Sequence, residues 1–550
     1  MTFKQGLAFI HTHFHYCAFG IIVLFGVIAY ANALGNQMFW DDFDFILHNT
    51  YIKDWSLYSH LWTDNLIAGS SLVSNYYRPV LATVFAIGWH LWEGNTTLWH
   101  TLPILLHILD AVLVFLLLEK LFKRPWIALA TALVFTVHPL QTEAVAYVNS
   151  MGDSLSTLFL LGSLYLAYGL SHLKGSHLWR SPFLYLSLVC GVLAILSKEI
   201  TITIPALVML VVFFANHQRS LTANIKTSLV VSLPYWILAG IYLVLRATIL
   251  NFQNSFNLYN ESNAFTDSIL IRLATFCRIF VTYIKLLFAP FNQHMERTVA
   301  IASHFFSWDI LLGAALIVAL LYLALWAYKK IPLVTFGILW FFICLVPTSN
   351  ILVPINGLLY EHWLYLPLVG FFVSLAGLTS YTLETYLQKQ KSIICITILT
   401  CVVLCGTILT VMRNTTWHDP IVFYNDIIQY NDTSLRVWNN LGMAYADSGD
   451  FEHAITAYKK AVDLDTKHSS APPYHNIGNA LQSMGKNDEA ISYFEQALTI
   501  DPHFIFSYSA LINLYYTQGD KEKTIETLKR AHEAIPENNE ITQALMQLTQ

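Results

Sequence analysis

The chain has 550 residues, of which 55% are apolar, 14% aromatic and only 12% charged, with a formal net charge of −5. That balance excludes an ordinary soluble enzyme and offers no basic surface for nucleic acid; it reads as a polytopic membrane protein. Cys17, Cys190, Cys277, Cys344, Cys395, Cys401 and Cys405 all fall in apolar segments, which excludes a disulfide framework and a Cys-x-x-Cys metal site.

The pattern changes near residue 413. Before it the chain is a series of apolar runs, and after it the residues are polar and helix-forming. The expected fold is therefore all-α: a membrane helix bundle over 1–413, a linker helix over 414–434 and a soluble domain over 435–550. The first run, 16–34, is longer than a signal-peptide core and lacks a clear cleavage site, so it reads as a retained span. Further candidate spans are 98–120, 125–141, 152–171, 182–197, 200–216, 227–248, 308–328, 331–348, 361–383 and 392–412, with 77–92 and 268–290 ambiguous. Basic loops decide the ambiguity, because Lys and Arg collect on the cytoplasmic side. These loops are Lys120/Lys123/Arg124, Lys174/Arg180, Arg219/Lys226, Lys329/Lys330 and Lys389/Lys391. With the N-terminus inside, all of them face the cytoplasm if neither ambiguous stretch crosses. Segment 268–290 also carries Arg272, Arg278 and Lys285, which suits an interfacial helix. The count is then about eleven spans, with the loops 35–97, 249–307 and 349–360 and the C-terminal domain on the extracytoplasmic side.

Just past the first span comes Phe39-Trp40-Asp41-Asp42-Phe43-Asp44-Phe45, a run of carboxylates among aromatics. It reads either as a base held at the bilayer surface or as a solvated acidic loop. Mid-span Asp110 is expensive to ionise, so it is expected protonated or paired with His107 one turn earlier, in a structural role.

From residue 435 a period of about 34 residues appears. Trp438, Leu441, Gly442, Tyr445, Ala454, Tyr458 and Ala461 follow the tetratricopeptide pattern, which recurs from Tyr474 and, more weakly, from Tyr508. The repeats span about 435–468, 471–504 and 505–538, with an insertion near Ser469–Ala471. Gly449, Gly485 and Gly519 turn the chain between paired helices. Such stacks present a concave face to peptides or partner proteins. Asn440 and Asn476 fall at equivalent positions, where their amides suit an extended peptide; the third repeat has Ala510 there. They read equally as residues tolerated in the first helix of each repeat.

Several motifs in order carry a resemblance. They are Trp40-Asp41-Asp42 with Ile46-x-x-Asn49, Tyr77-Arg78-Pro79, Trp99-His100 with His107, Val137-His138-Pro139-Leu140-Gln141-Thr142-Glu143-Ala144-Val145, Ser197-Lys198-Glu199, and Tyr360-Glu361-His362-Trp363-Leu364-Tyr365-Leu366-Pro367. With the repeats behind them, the chain resembles the transmembrane and tetratricopeptide-repeat-containing O-mannosyltransferases. More broadly it is similar to the multi-span GT-C glycosyltransferases that use polyprenyl-phosphate sugars. Arginines that the family often places before the position of Asp153 and beside Leu-Tyr-Leu-Pro are here Met151 and Trp363.

The resemblance implies inverting transfer of a sugar, mannose first, from a polyprenyl phosphate to a hydroxyl, with Ser or Thr of exported proteins as acceptor. A positioned carboxylate is the natural base for a hydroxyl too weak to ionise by itself. Asp41 is the first choice and Asp42 its substitute, since adjacent side chains diverge. Arg78 suits the donor phosphate through its fixed, permanently charged fork. Lys198 reads as a phosphate ligand or as the partner of Glu199, and Arg297 is a further phosphate candidate. His138, Glu143, Glu361 and His362 are candidates for holding the acceptor or the sugar, or for structural contacts. No metal and no cofactor are expected beyond the lipid-linked donor. The repeats would recruit the acceptor protein or a partner enzyme. Alternatives are transfer to a lipid-linked or surface glycan, and a catalytically silent scaffold for envelope assembly. The expected location is a bacterial inner membrane with the active face periplasmic, or the ER lumen in a eukaryote.

Overall fold

The computed structural model describes residues 13–173, 175–216, 220–252, 263–355, 357–386 and 391–549. Lys174, Arg219 and Lys389 of the predicted basic loops lie outside the described residues. Every regular element among the described residues is helical. The chain forms two compact units, Met1–His418 and Asp419–Gln550.

In the first unit each apolar stretch marked in the sequence, including the two ambiguous ones, is a helix. Proline starts many of them (Pro79, Pro125, Pro182 and Pro332 each open a helix), where its missing N–H costs nothing and its fixed φ suits the first turn. Among the described residues, six helices are long and apolar enough to cross a membrane: Phe14–Gly35, Thr96–Phe122, Leu221–Ala247, Trp308–Ala327, Pro367–Tyr386 and Ser392–Trp417. The apolar helices Pro79–Trp92, Pro125–Val137, Pro182–Ser197, Glu199–Ala215 and Pro332–Thr348 are shorter. At about 1.5 Å per residue they fall short of a hydrocarbon core of about 30 Å. Helix length therefore supports a multi-pass protein without fixing the number of crossings. Ile269–Phe288, with its three basic residues, is not among the six.

Small and hydroxylated residues join these helices, as expected where lipid removes the hydrophobic drive for association. Ser163 and Ser187 each donate from Oγ to the other's carbonyl, at 2.8 and 2.7 Å, and the Tyr235 hydroxyl adds a bond of 2.6 Å to Ser187. Helices Pro332–Leu345 and Pro367–Tyr386 meet at Gly337 and Gly370, where a Cβ on either would strike the other's carbonyl.

The second unit opens with Pro420–Tyr430, followed by the helix pairs Leu435–Asp447 with Phe451–Leu464, Pro472–Ser483 with Asn487–Ile500, and Ile505–Thr517 with Lys521–Ala534. A further helix, Asn539–Thr549, not foreseen from the repeat period, covers the last pair and buries Ile541. Gly449 turns the first pair at φ +83°. The inserted residues before the second pair are held by Asp465, whose carboxylate accepts from the amides of Ser469 and Ser470 at 2.8 and 2.7 Å. Within pairs the helices approach through Gly442 and Gly478, whose missing side chains make room for the rings of Tyr458 and Phe494.

A Cβ at Gly442 would lie 2.5 Å from the Tyr458 ring, whereas one at Gly449 meets nothing within 4 Å. Gly442→Ala should therefore destabilise the repeat unit by about 1–3 kcal/mol through overpacking. Gly449→Ala, strained only by its positive φ, should cost roughly 1 kcal/mol. Thermal melts of the full chain check that order.

Candidate active site

The acidic run forms a tight turn. Trp40, buried and bulky, sits at φ +59°, a conformation that costs such a residue energy and is held only where its surroundings demand it. The turn closes through bonds from the amides of Phe43 to the Trp40 carbonyl (3.3 Å) and of Phe45 to the Asp41 carbonyl (2.9 Å). Asp42 is 1% exposed. Its Oδ2 accepts from the Phe39 amide at 3.2 Å and its Oδ1 from the Asn149 amide at 2.9 Å. Burial pushes the Asp42 carboxyl up, while those two amides pull it back. Asp41 is partly exposed, and its amide donates to the Tyr147 hydroxyl at 3.0 Å. Tyr147 and Phe39 each stack on buried Trp417, at centroid distances of 5.4 and 6.2 Å. Asp44 lies on the outer side, 3.8 Å from His48. Asn49 caps the next short helix and donates to the Leu66 carbonyl at 3.0 Å, so its part in the motif is to hold the loop.

The segment that receives this turn also carries Glu143, on the short helix Thr142–Ala146. Glu143 accepts from the His362 ring at 2.6 Å and from the His362 amide at 3.1 Å. Burial works against the Glu143 charge, but His362 outweighs it and holds the carboxyl below its ordinary value. Three further ion pairs follow. Arg78 reaches Glu199 with two bonds, 2.8 Å from Nε and 2.6 Å from Nη2, and lies 4.4 Å over the Tyr76 ring. Lys198 donates to both oxygens of Asp153 at 2.8 Å. Glu361 accepts from Arg297 at 2.7 Å, Gln293 at 3.0 Å and the His294 amide at 3.0 Å. The pairs sense one another: Asp153 acts on Arg78, Lys198 on Glu143, and Glu143 on Glu361. Arg413 adds its charge beside Glu361 and His294.

Arg78, Lys198, Arg297, Glu143, Glu361 and His362 thus meet in one charged cluster. Each of the three predicted phosphate cations carries a carboxylate, and Lys198 pairs with Asp153 instead of its neighbour Glu199, which is taken by Arg78. The Arg297 Nε is buried without a hydrogen-bond partner. His138 stands apart: its Nδ1 accepts from the Leu140 amide at 3.3 Å and its ring packs on Phe372. Asp110 and His107 do not touch directly; the Tyr365 hydroxyl bridges them, 2.8 Å from each. In the repeats Asn476 donates to the side-chain oxygen of Asn439, the neighbour of Asn440, at 3.0 Å. Among the described residues no three His, Cys, Asp or Glu side chains converge as a metal ion would require. Sequence reasoning missed Tyr147, Asn149, Gln293 and Arg413. Arg413 had a signal: it is a basic residue closing the last long apolar run, Ser392–Trp417.

The tetratricopeptide repeat family profile matches residues 433–503. The chain is 26% identical over 462 residues to protein O-mannosyl-transferase F38B6.6 of Caenorhabditis elegans, covering 82% of this chain and 63% of that protein. It is 24% identical over 460 residues to protein O-mannosyl-transferase TMTC3 of Mus musculus, covering 78% of this chain and 48% of that protein. The chain thus spans about half to just under two thirds of the length of these curated relatives. The apo oligosaccharyltransferase of Archaeoglobus fulgidus aligns with a TM-score of 0.36 at 14% identity, covering 74% of this chain and 56% of that one. The resemblance to the O-mannosyltransferases with transmembrane and tetratricopeptide parts is borne out over most of the chain.

Lys198→Met would strand buried Asp153 and should lower stability by about 3–5 kcal/mol, with Lys198→Met/Asp153→Leu recovering most of it; melts of the detergent-solubilised protein test this. Because Glu143 is held below its ordinary 4.5, its contribution is complete above that pH and is lost as pH falls through the lowered value. Tm measured against pH should fall on the acid side, and Glu143→Gln should flatten that limb.

Proposed function

We propose that the chain is an inverting glycosyltransferase that moves mannose from a polyprenyl phosphate to Ser or Thr of exported proteins. The site and the repeats face the periplasm of a bacterial inner membrane, or the ER lumen in a eukaryote, and the repeats recruit the acceptor. Similarity to relatives named protein O-mannosyl-transferases supports the reaction class. The observation that carries the mechanism is the division within the acidic pair: Asp42 is buried on two amides, while Asp41 is partly exposed on a turn fixed by Tyr147. Asp41 is then the base. It takes the acceptor proton as the hydroxyl oxygen bonds to the anomeric carbon, and the bond from that carbon to the phosphate oxygen breaks on the opposite face. The sugar inverts, the polyprenyl phosphate leaves with the electron pair, and Asp41 later returns its proton to solvent. Fixed cations stabilise the departing phosphate. Arg297, with an unused buried Nε–H, is the strongest of the three candidates. The chemistry calls for no metal.

A second reading, a catalytically silent scaffold, draws on the carboxylate already bound to each predicted phosphate cation. Radiolabelled polyprenyl-phosphate-mannose with purified protein and a mixture of exported proteins separates the two. Wild type should label protein, and Asp41→Asn should lose about 100-fold or more, as removal of a general base does. Asp42→Asn should retain more activity than Asp41→Asn. Labelling of glycan instead of protein would move the acceptor to a lipid-linked or surface glycan. Wild type inert with every polyprenyl-phosphate sugar, while its repeats still capture a partner, would establish the scaffold.

A further inference from the structure

The far ends of the helices that frame the candidate active site form a second charged place, which the proposed reaction does not use. Asn36 and Gln37, ahead of the acidic turn, lie against His100 near the start of Thr96–Phe122. The other end of that helix meets the start of Phe14–Tyr30 and the end of Met151–Leu170. At about 1.5 Å per residue, the stretch of that helix from His100 to Lys120 separates the two places by about 30 Å.

There a cavity of about 490 Å³ is lined by His15, Glu119, Lys120, Lys123, Tyr165 and Tyr168, among others. Lys120 Nζ lies 4.0 Å from the centre of the Tyr165 ring and 5.3 Å from that of Tyr168. Lys123 ends its helix at φ +56° with its amide bonded to the Glu119 carbonyl at 2.7 Å. Glu119, the acid among these residues, is engaged by His15, whose Nε2 lies 3.0 Å from both carboxylate oxygens. Two lysines therefore face the cavity with its acid already engaged. Arg124 nearby is 3.6 Å from Glu384.

The surroundings identify the depth. Thr96–Phe122 and Phe14–Gly35 are both long and apolar enough to cross a bilayer, so this end lies at a membrane boundary. Tyr16 is 76% and Trp126 60% exposed, and Trp126 packs edge-on against Phe14 at 4.8 Å. Exposed aromatic rings at helix ends mark the headgroup layer. Lysines in a pocket between spanning helices at that level suit the phosphate of an anionic lipid. We propose that this cavity binds the phosphate headgroup of an anionic glycerophospholipid, with Lys120 and Lys123 contacting the phosphate and the hydroxyls of Tyr165 and Tyr168 donating to it.

The test is native mass spectrometry of the full chain, delipidated in neutral detergent and titrated with phosphatidylglycerol or with phosphatidylcholine of the same acyl chains. Wild type should bind phosphatidylglycerol in preference to phosphatidylcholine. Each lysine near the surface contributes about fivefold, so Lys123→Gln should lose about that much and Lys120→Gln/Lys123→Gln about 30-fold. Lys123 is exposed, so the single variant keeps the measurement informative if the double one fails to fold. Lys329→Gln/Lys330→Gln, a basic pair not among the residues lining this cavity, is the control and should bind as wild type does. An equal loss in that control would overturn the site in favour of diffuse charge attraction. Equal binding by wild type and the double cavity variant would overturn it outright. Displacement of bound lipid by millimolar inorganic phosphate would overturn the lipid as occupant and leave a soluble phosphate in its place.

Discussion

A buried charge needs a partner, and that constraint organises one end of the first unit. Arg78 and Glu199 are 121 residues apart in sequence, Lys198 and Asp153 are 45 apart, and His362 and Glu143 are 219 apart. None of these groups is tolerable alone in a low-dielectric setting, where removing one partner costs several kcal/mol. Satisfying them together draws the start of helix Pro79–Trp92, the turn before Ile204–Ala215, the short helix Thr142–Ala146 and the turn Glu361–Leu364 into one place. Packing by small residues brings the helices side by side; the ion pairs set which ends coincide.

The acidic turn depends on the same scaffold. Asp42 is locked by the Asn149 amide and Asp41 by the Tyr147 hydroxyl, and both partners follow directly on the helix that bears Glu143. The backbone at Trp40, at positive φ, leads into two adjacent and chemically identical side chains that point apart into different settings. One turns inward and becomes structure. The other stays partly exposed, with its amide bonded to Tyr147 and its carbonyl to the Phe45 amide.

Local regularities were legible in the sequence. Apolar runs marked the helices of the first unit, and a repeat of about 34 residues marked the helix pairs of the second, down to the turn at Gly449. Partner choice was not legible, because an ion pair is a tertiary fact with no local period. Lys198 next to Glu199 invites a pairing that backbone direction forbids: neighbours in sequence point apart, and each finds a partner elsewhere. The bond from Asn476 to Asn439 was not legible for a similar reason. Asn439 and Asn440 both sit on one helix, and only the superposition of the next helix shows which of them Asn476 meets. His138 and Glu143 share a motif but face different neighbours because a tight turn at Pro139–Gln141 lies between them.

The resting pairs bear on how the proposed donor would bind. A cation kept ready for phosphate cannot wait unpaired among buried groups, so a carboxylate partner is expected before substrate arrives. For Arg78 and Lys198 the phosphate would have to compete with Glu199 and Asp153, leaving a carboxylate to be protonated or re-paired. Arg297 differs. Its Nη2 holds Glu361 while its Nε–H is buried and unused, so a phosphate oxygen could be accepted there without breaking the existing pair. A buried donor left unmade costs about 1–3 kcal/mol, which an incoming acceptor recovers. On that argument the cation with the weakest local signal in the sequence is the one best prepared for an anion, and Glu361 is the group that keeps it aimed.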